Sequence, residues 1–182
     1  MYYAGIGSRI TPDDIGVIMT ALAREMEKCA WTLRSGAATG ADTFFEEGVE
    51  QTKHKEIFIH KGYVHGRRAN SPQSVFDASQ YPDWSEAMRI ASEVHPAWHR
   101  CGEDARGLHA RNIYQVLGPG MNPRSYSSMV ICWAIPDIHG VPEGGTRTAW
   151  KVAELYDIPR FNLAVRADRD RIEEWLETRK TV

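Results

Sequence analysis

The sequence predicts an α/β fold: a single domain of three layers around a mostly parallel sheet. Three observations carry this. Short apolar runs alternate with helically periodic segments along most of the chain. Three of those runs end in glycine-rich turns that each open a helix. And 182 residues, 42% of them hydrophobic, suffice for one sizeable core and no second.

Taken in order, "MYYAGIG" is a strand, and "TPDD" follows with Thr11 as N-cap, Pro12 at the first helical position and Asp14 three residues after the cap. Ile15, Ile18, Met19, Leu22, Met26 and Cys29 then recur at helical spacing. "WTLR" is the second strand, "SGAATGAD" a glycine turn, "DTFFEEGVE" the second helix and "EIFIHKG" the third strand. Residues 62–100 break the rhythm, with a polar, glycine-containing loop "GYVHGRRANSPQ" and a helix "DWSEAMRIASEVH" whose Asp83 and Glu86 fit a capping box. The helix "EDARGLHARNIYQVLG" comes next, ended by Gly118. "SYSSMVICWAI" holds a buried strand, "PEGGTRTAWKVAELYDIP" a glycine turn and a helix, and "RFNLAV" the last strand. "DRDRIEEWLETRK" reads as a solvated amphipathic helix. There is no repeat, low-complexity segment or linker, so residues 1–182 form one domain with 62–100 as a variable insertion within it.

A net charge of -2 gives no global attraction to nucleic acid or acidic membranes, so anion recognition must be local. Cys29, Cys101 and Cys132 are widely spaced and odd in number, which fits reduced thiols in a cytoplasm. No amino-terminal targeting pattern is visible, and no window approaches the roughly 18 apolar residues of a membrane span. The expectation is a cytoplasmic protein with no membrane partner.

The turns "GIGSR", "SGAATGAD" and "EGGTRTA" all fall at the carboxyl edge of a parallel sheet, where ligands bind. Their glycines permit close backbone approach, and free N–H groups at helix N-termini favour phosphate. The dinucleotide fingerprint is excluded because Ile10 stands at its third glycine and the second strand ends in Arg34 rather than an acid. The phosphate loop of nucleoside triphosphatases is excluded because "GAATGAD" lacks its spacing and lysine.

Together, "YYAGIGSR" with "TP", "LRSGAATGAD", "LHARN", "VICW" and "GGTRTAWKVAELYDIPRFNLA" resemble the SLOG superfamily. This group includes the DNA-processing protein DprA and the Lonely Guy cytokinin-activating enzymes. The likeness is nearest to the DprA-like branch and its small stand-alone members common in phages, whose location would be the host cytoplasm. The resemblance implies a Rossmann-like fold and a nucleotide at the sheet's carboxyl edge. It implies a binding wall of Gly5, Gly7, Ser8 and Arg9 from the first turn and Ser35, Gly36, Thr39, Gly40 and Asp42 from the second. Arg111 and Asn112 resemble an Arg-Asn element that faces the ligand, and Gly144, Gly145 and Thr146 a phosphate-holding turn. Trp133 ends a strand at the same edge, as core packing or as a platform for a base. Asp42 also stands where a helix cap belongs, Ser35 where it can stabilise its own turn, and Arg111 within reach of Glu103 or Asp104.

The resemblance also bears on chemistry. Lonely Guy enzymes cleave an N-glycosidic bond with an arginine and a glutamate in a "PGGxGTxxE" pattern, and aligning Gly144 and Gly145 puts Lys151 at the glutamate's place. Candidate catalytic groups are then Arg111, Glu143 and Asp42, with Glu154 further along the helix. The leading expectation is a binder of a nucleotide or ADP-ribose-related small molecule, NAD-derived or cyclic, that senses or sequesters a nucleotide signal. Alternatives are a nucleoside 5'-monophosphate N-glycosidase and a DprA-like binder of single-stranded DNA. The basic, aromatic-containing "HKGYVHGRR" speaks for the last, but the acidic balance sets nucleic acid aside as a partner. The resemblance implies a homo-oligomer. His95, His99, Cys101 and His109 are residue types that zinc accepts, yet they lack a paired CxxC and fall on different elements. No metal and no cofactor are expected, and His99 or His109 is a candidate for proton transfer.

Overall fold

In the computed structural model, which describes residues 1–180, the apolar runs lie side by side and all point the same way. The strands are β1 (Tyr2–Gly7), β2 (Thr32–Ser35), β3 (Lys55–Ile59), β6 (Val75–Asp77), β7 (Val130–Trp133) and β8 (Arg160–Asn162). They form one sheet in the order β6-β3-β2-β1-β7-β8, every pair parallel. A short antiparallel hairpin, β4 (Tyr63–Val64) with β5 (Arg67–Arg68), stands apart.

Side chains alternate across the strands, so each face meets its own helical layer. Tyr3, Leu33 and Ile131 pack with α1 (Asp13–Lys28), α2 (Ala41–Gly48) and α6 (Arg166–Lys180) through Met19, Leu22, Phe45, Ile172 and Leu176. Ala4, Ile6, Phe58, Val130 and Cys132 face α3 (Trp84–Val94), α4 (Glu103–Leu117) and α5 (Thr146–Leu155) through Ile90, Ile113, Tyr114 and Val152. The chain leaves β1 toward β2 on one side and returns at β7 on the other. The sheet's order therefore reverses between β1 and β7, which opens a crevice at their carboxyl ends. No helix among the described residues is long and apolar enough to cross a membrane.

The structure departs from the sequence reading in several places. Thr11 does not cap α1; its hydroxyl donates to the Ser8 carbonyl at 2.8 Å, and Pro12 occupies the cap. Cys29, expected on the apolar stripe of α1, is exposed beyond its last turn. Asp83 occupies the cap of α3 without a capping bond, because its carboxylate accepts from the Tyr114 hydroxyl (2.9 Å) and the Gly120 N–H (2.7 Å). Glu86 pairs with Arg89 instead of closing a capping box. Segment 62–100 is woven into the domain: Val75–Asp77 adds the edge strand beside β3, and α3 packs on α4. Arg34, where a ribose-binding acid would stand in a dinucleotide fold, is a buried tie. It bonds Glu56 at 2.7 Å and the Ser125 carbonyl, and lies 3.7 Å from the centre of the Tyr2 ring.

Candidate functional site

The crevice between β1 and β7 holds a cavity of about 160 Å³. Three elements build it. The turn after β1 contributes Gly7 and Arg9, the turn after β2 contributes Ala38 and Asp42, and the start of α5 contributes Gly145 and Thr146. Helix α4 closes the far side with Ala105, Leu108, His109, Arg111, Asn112 and Gln115.

The turn after β2 is shaped by two glycines. Gly40 has φ of +79°, a left-handed conformation, and a side chain there would run into the Ser8 carbonyl. Gly36 lies directly beneath the Arg111 guanidinium, so any Cβ at that position would overlap Nη1. Asp42 does not cap α2; its carboxylate reaches back to accept the Gly36 N–H at 3.1 Å and the Ala38 N–H at 3.4 Å. The side chain thereby braces the loop that lies against the arginine.

Arg111 is the cavity's charged centre. It is only 6% exposed, and its ion-pair partner among the described residues is Asp42 at 3.9 Å, not Glu103 or Asp104. Asp104 instead pairs with Lys61 at 2.5 Å. Arg111 Nε and Nη1 have no hydrogen-bond partner among the described residues, nor has Gln115 Nε2, one helical turn further along the same face. Burial lowers the Arg111 pKa while Asp42 opposes it, and burial raises the Asp42 pKa against the pull of Arg111 and of the Ala38, Gly36 and Gly7 backbone. An arginine remains protonated through such a shift. The cavity is thus lined by a desolvated cation with unpartnered N–H donors, a combination whose chemistry suits an oxyanion. Asn112 locks the neighbouring turn by donating to the Gly145 carbonyl at 3.0 Å.

Of the residues expected in the wall, Gly7, Arg9, Asp42, Arg111, Asn112, Gly145 and Thr146 line the cavity. The others stand behind it or beside it. Gly5 is packed against the Phe45 ring, Ser35 donates its hydroxyl to the Gly5 carbonyl at 2.7 Å, and Ser8 spends its backbone on Trp133 and Ala41. Thr39 and Gly144 are exposed, and Trp133 packs into the core rather than into the cavity. Ala38, Ala105, Leu108 and Gln115 escaped the sequence reading. Gln115 was findable, because it follows Arg111 by one turn.

Of the candidate catalytic acids, Asp42 lines the cavity and Glu143 and Glu154 do not. Glu143 is exposed outside the cavity, and Glu154 is bound by Lys151 (2.7 Å) and Arg160 (2.9 Å). Asp42 is the one carboxylate among the described lining residues, and it is engaged with the turn. His109 meets the Thr148 hydroxyl at 2.8 Å, and burial pushes its pKa down to about 4, so it is neutral at pH 7. His99 lies on a separate short turn, Trp98–Arg100.

The basic segment 60–68 flanks this site. His65 and His60 both feel the Arg111 charge, and His65 also that of Arg9. Arg67 is held by Glu46 at 2.6 Å, while Arg68 stands 5.9 Å from the centre of the exposed Tyr63 ring.

No protein-family model and no curated protein matches the chain. Among solved structures, DNA processing protein A (DprA) from Helicobacter pylori, described for its single-stranded DNA binding mode, is similar with a TM-score of 0.56 and 15% sequence identity. The likeness covers 100% of this chain and 80% of that one. It overturns the expectation that net charge sets nucleic acid aside as a partner, since a protein with this architecture binds single-stranded DNA. The physical reason is that a charge of -2 is a sum over the whole chain, whereas a phosphate responds to the local field. The chain has the Rossmann-like fold seen in DprA, with a cavity of about 160 Å³ at the switch point of the sheet.

Proposed function

We propose that this protein binds single-stranded nucleic acid, with one backbone phosphate seated against Arg111. The observation that carries the reading is the buried guanidinium whose Nε and Nη1 lack partners. Its desolvation is offset when an anion takes those donors. The cavity, at about 160 Å³, is close to the size that holds a benzene-sized molecule. It accommodates a phosphate and part of a sugar, and leaves the rest of the strand outside. There the hairpin offers His65, Arg68 and the exposed Tyr63 ring to neighbouring phosphates and a base. The DprA likeness supports the same choice of ligand.

Fluorescence anisotropy with a labelled single-stranded oligonucleotide tests this. Binding should weaken linearly in log Kd against log salt, with a slope of about 0.7 per phosphate contacted. Arg111→Met and Arg9→Ala should each reduce affinity at least tenfold. Affinity unchanged by Arg111→Met would sink the placement.

A second reading, a free nucleotide or ADP-ribose-related signal held in the same cavity, is favoured by the depth at which Arg111 lies. Competition separates the two, because a mononucleotide that displaces the strand at equal or lower concentration marks the small molecule as the ligand. Under either reading the base–sugar bond stays intact, since no free carboxylate faces the cavity to stabilise positive charge on a ribose. Nucleoside monophosphates incubated with the protein should be recovered unchanged by chromatography.

A further inference from the structure

His95 follows the last turn of α3, Cys101 follows the short turn Trp98–Arg100, and His109 lies on α4. Their spacing gives no ligand pair, yet the corner between α3 and α4 folds them together. One ligand atom of each lies within 4.8 Å of the other two. Cys101 Sγ stands 3.8 Å from His95 Nδ1, and the two imidazole centres are 4.3 Å apart. A tetrahedral ion with bonds of about 2.3 Å to sulfur and about 2.0 Å to nitrogen holds its ligand atoms about 3.3–3.6 Å from one another. The ligand atoms therefore need to close up by at most about 1.5 Å to reach coordinating geometry.

We propose that His95, Cys101 and His109 bind a zinc-class divalent ion. The donor set decides the class: two imidazoles and a thiolate suit zinc and reject magnesium or calcium, which take oxygen ligands. The hydrogen bonds around the cluster set which nitrogens serve. His109 Nδ1 lies 2.8 Å from the Thr148 hydroxyl; in the tautomer that donates there, the Nε2 lone pair is left for the ion and the hydroxyl is the outer partner that ligating histidines characteristically have. His95 Nδ1 accepts the Ala97 N–H at 3.2 Å, so its lone pair is on the nitrogen nearer to Cys101, and the ion takes it in place of that contact. The Cys101 thiol, now turned to the Ala97 carbonyl at 3.7 Å, gives its proton to solvent on binding. All three residues are half-buried, open enough for an ion to enter. Three protein ligands leave a fourth position for water or another exogenous group.

The test uses the full chain, reduced and freed of metal with a chelator, and cobalt(II) as a spectroscopic probe. One equivalent should produce tetrahedral ligand-field bands and a thiolate-to-cobalt charge-transfer band, which zinc then abolishes by displacement. Cys101→Ser should lose the charge-transfer band and Cys29→Ser should keep it. By zinc titration calorimetry, His95→Gln should weaken binding at least tenfold, and Thr148→Val by about 10–100-fold. Circular dichroism checks that each variant is folded. A wild-type protein without the charge-transfer band, or one whose zinc affinity matches that of folded Cys101→Ser, overturns the proposal. Neither result bears on strand binding at Arg111, which is measured without metal.

Discussion

Arg111 and Asp42 form a buried pair whose charges are only partly matched. One carboxylate at 3.9 Å leaves most of the guanidinium's five N–H donors without an anionic partner, while Asp42 has backbone donors of its own. Removing the cation should therefore be felt mainly at Asp42. Arg111→Met should destabilise the protein by on the order of 3 kcal/mol at pH 7. The sign of its pH dependence follows from the direction of the Asp42 shift. Burial already raises that carboxyl's pKa, and losing Arg111 raises it further above its unfolded value. Between that unfolded value, about 4, and the folded one, the unfolded chain holds fewer protons than the native protein. The variant's deficit should thus grow as pH rises past the wild-type Asp42 pKa, which itself lies above about 4, and shrink in acid. Denaturant melts of both proteins across that range check it, and a constant deficit would show that Asp42 is not the responsible group. Tyr3 offers the opposite case. Its ring is fully buried, and its hydroxyl has no hydrogen-bond partner among the described residues. Tyr3→Phe should leave stability equal or raise it by about 1 kcal/mol, read as a higher denaturant midpoint.

At the scale of the element, the glycine turns divide into those the fold needs and those that leave room. Gly40→Ala places a side chain at φ of +79° and against the Ser8 carbonyl, so it should cost about 1–3 kcal/mol whatever it does to binding. Gly145 has open space around it at an ordinary helical φ, and Gly145→Ala should melt within a degree or two of wild type. This distinction could not be read from the sequence, where both glycines simply open helices. The strand–turn–helix units were legible because each has its own period and its own stop signal. Met19, Leu22 and Met26 marked the buried face of α1, and Gly118 ended α4. The edge strand Val75–Asp77 was not legible, since three residues inside "SVFDAS" are too short for a period and their pairing with β3 is a long-range event. The same holds for the site: Arg111 was read from "LHARN", but its partner Asp42 comes from another element 69 positions earlier, and only the fold joins them.

At the scale of the whole molecule, the proposed strand binding has to be reconciled with a net charge of -2. Its carboxylates lie largely on the helical layers, many in local pairs such as Glu86–Arg89 and Glu154–Arg160, so their fields are short-ranged. At the cavity, Arg111 and Arg9 face one side of the hairpin, and His65 is held below its ordinary pKa first by burial and then by those two cations. Both effects disfavour the charged imidazole in the free protein. A bound phosphate reverses the local field and raises the pKa of His65, so binding takes up a proton, and by linkage affinity must rise as pH falls. We expect single-strand affinity to increase several-fold between pH 7.5 and about 5.5, the range over which an imidazole of ordinary pKa titrates. His65→Ala should flatten this profile, lowering affinity more at about pH 5.5 than at about pH 7.5. The measurement is anisotropy at constant ionic strength, so that screening does not vary with the buffer. A slope that survives in His65→Ala would move the proton uptake to His60 or His109, the other imidazoles that feel Arg111; of these His109 lines the cavity itself, and His60 has Lys61 and Asp104 pulling its charge in opposite directions. Absence of any slope in the wild-type protein would instead mean that a strand does not pass the hairpin, and would favour the small-molecule reading of the cavity.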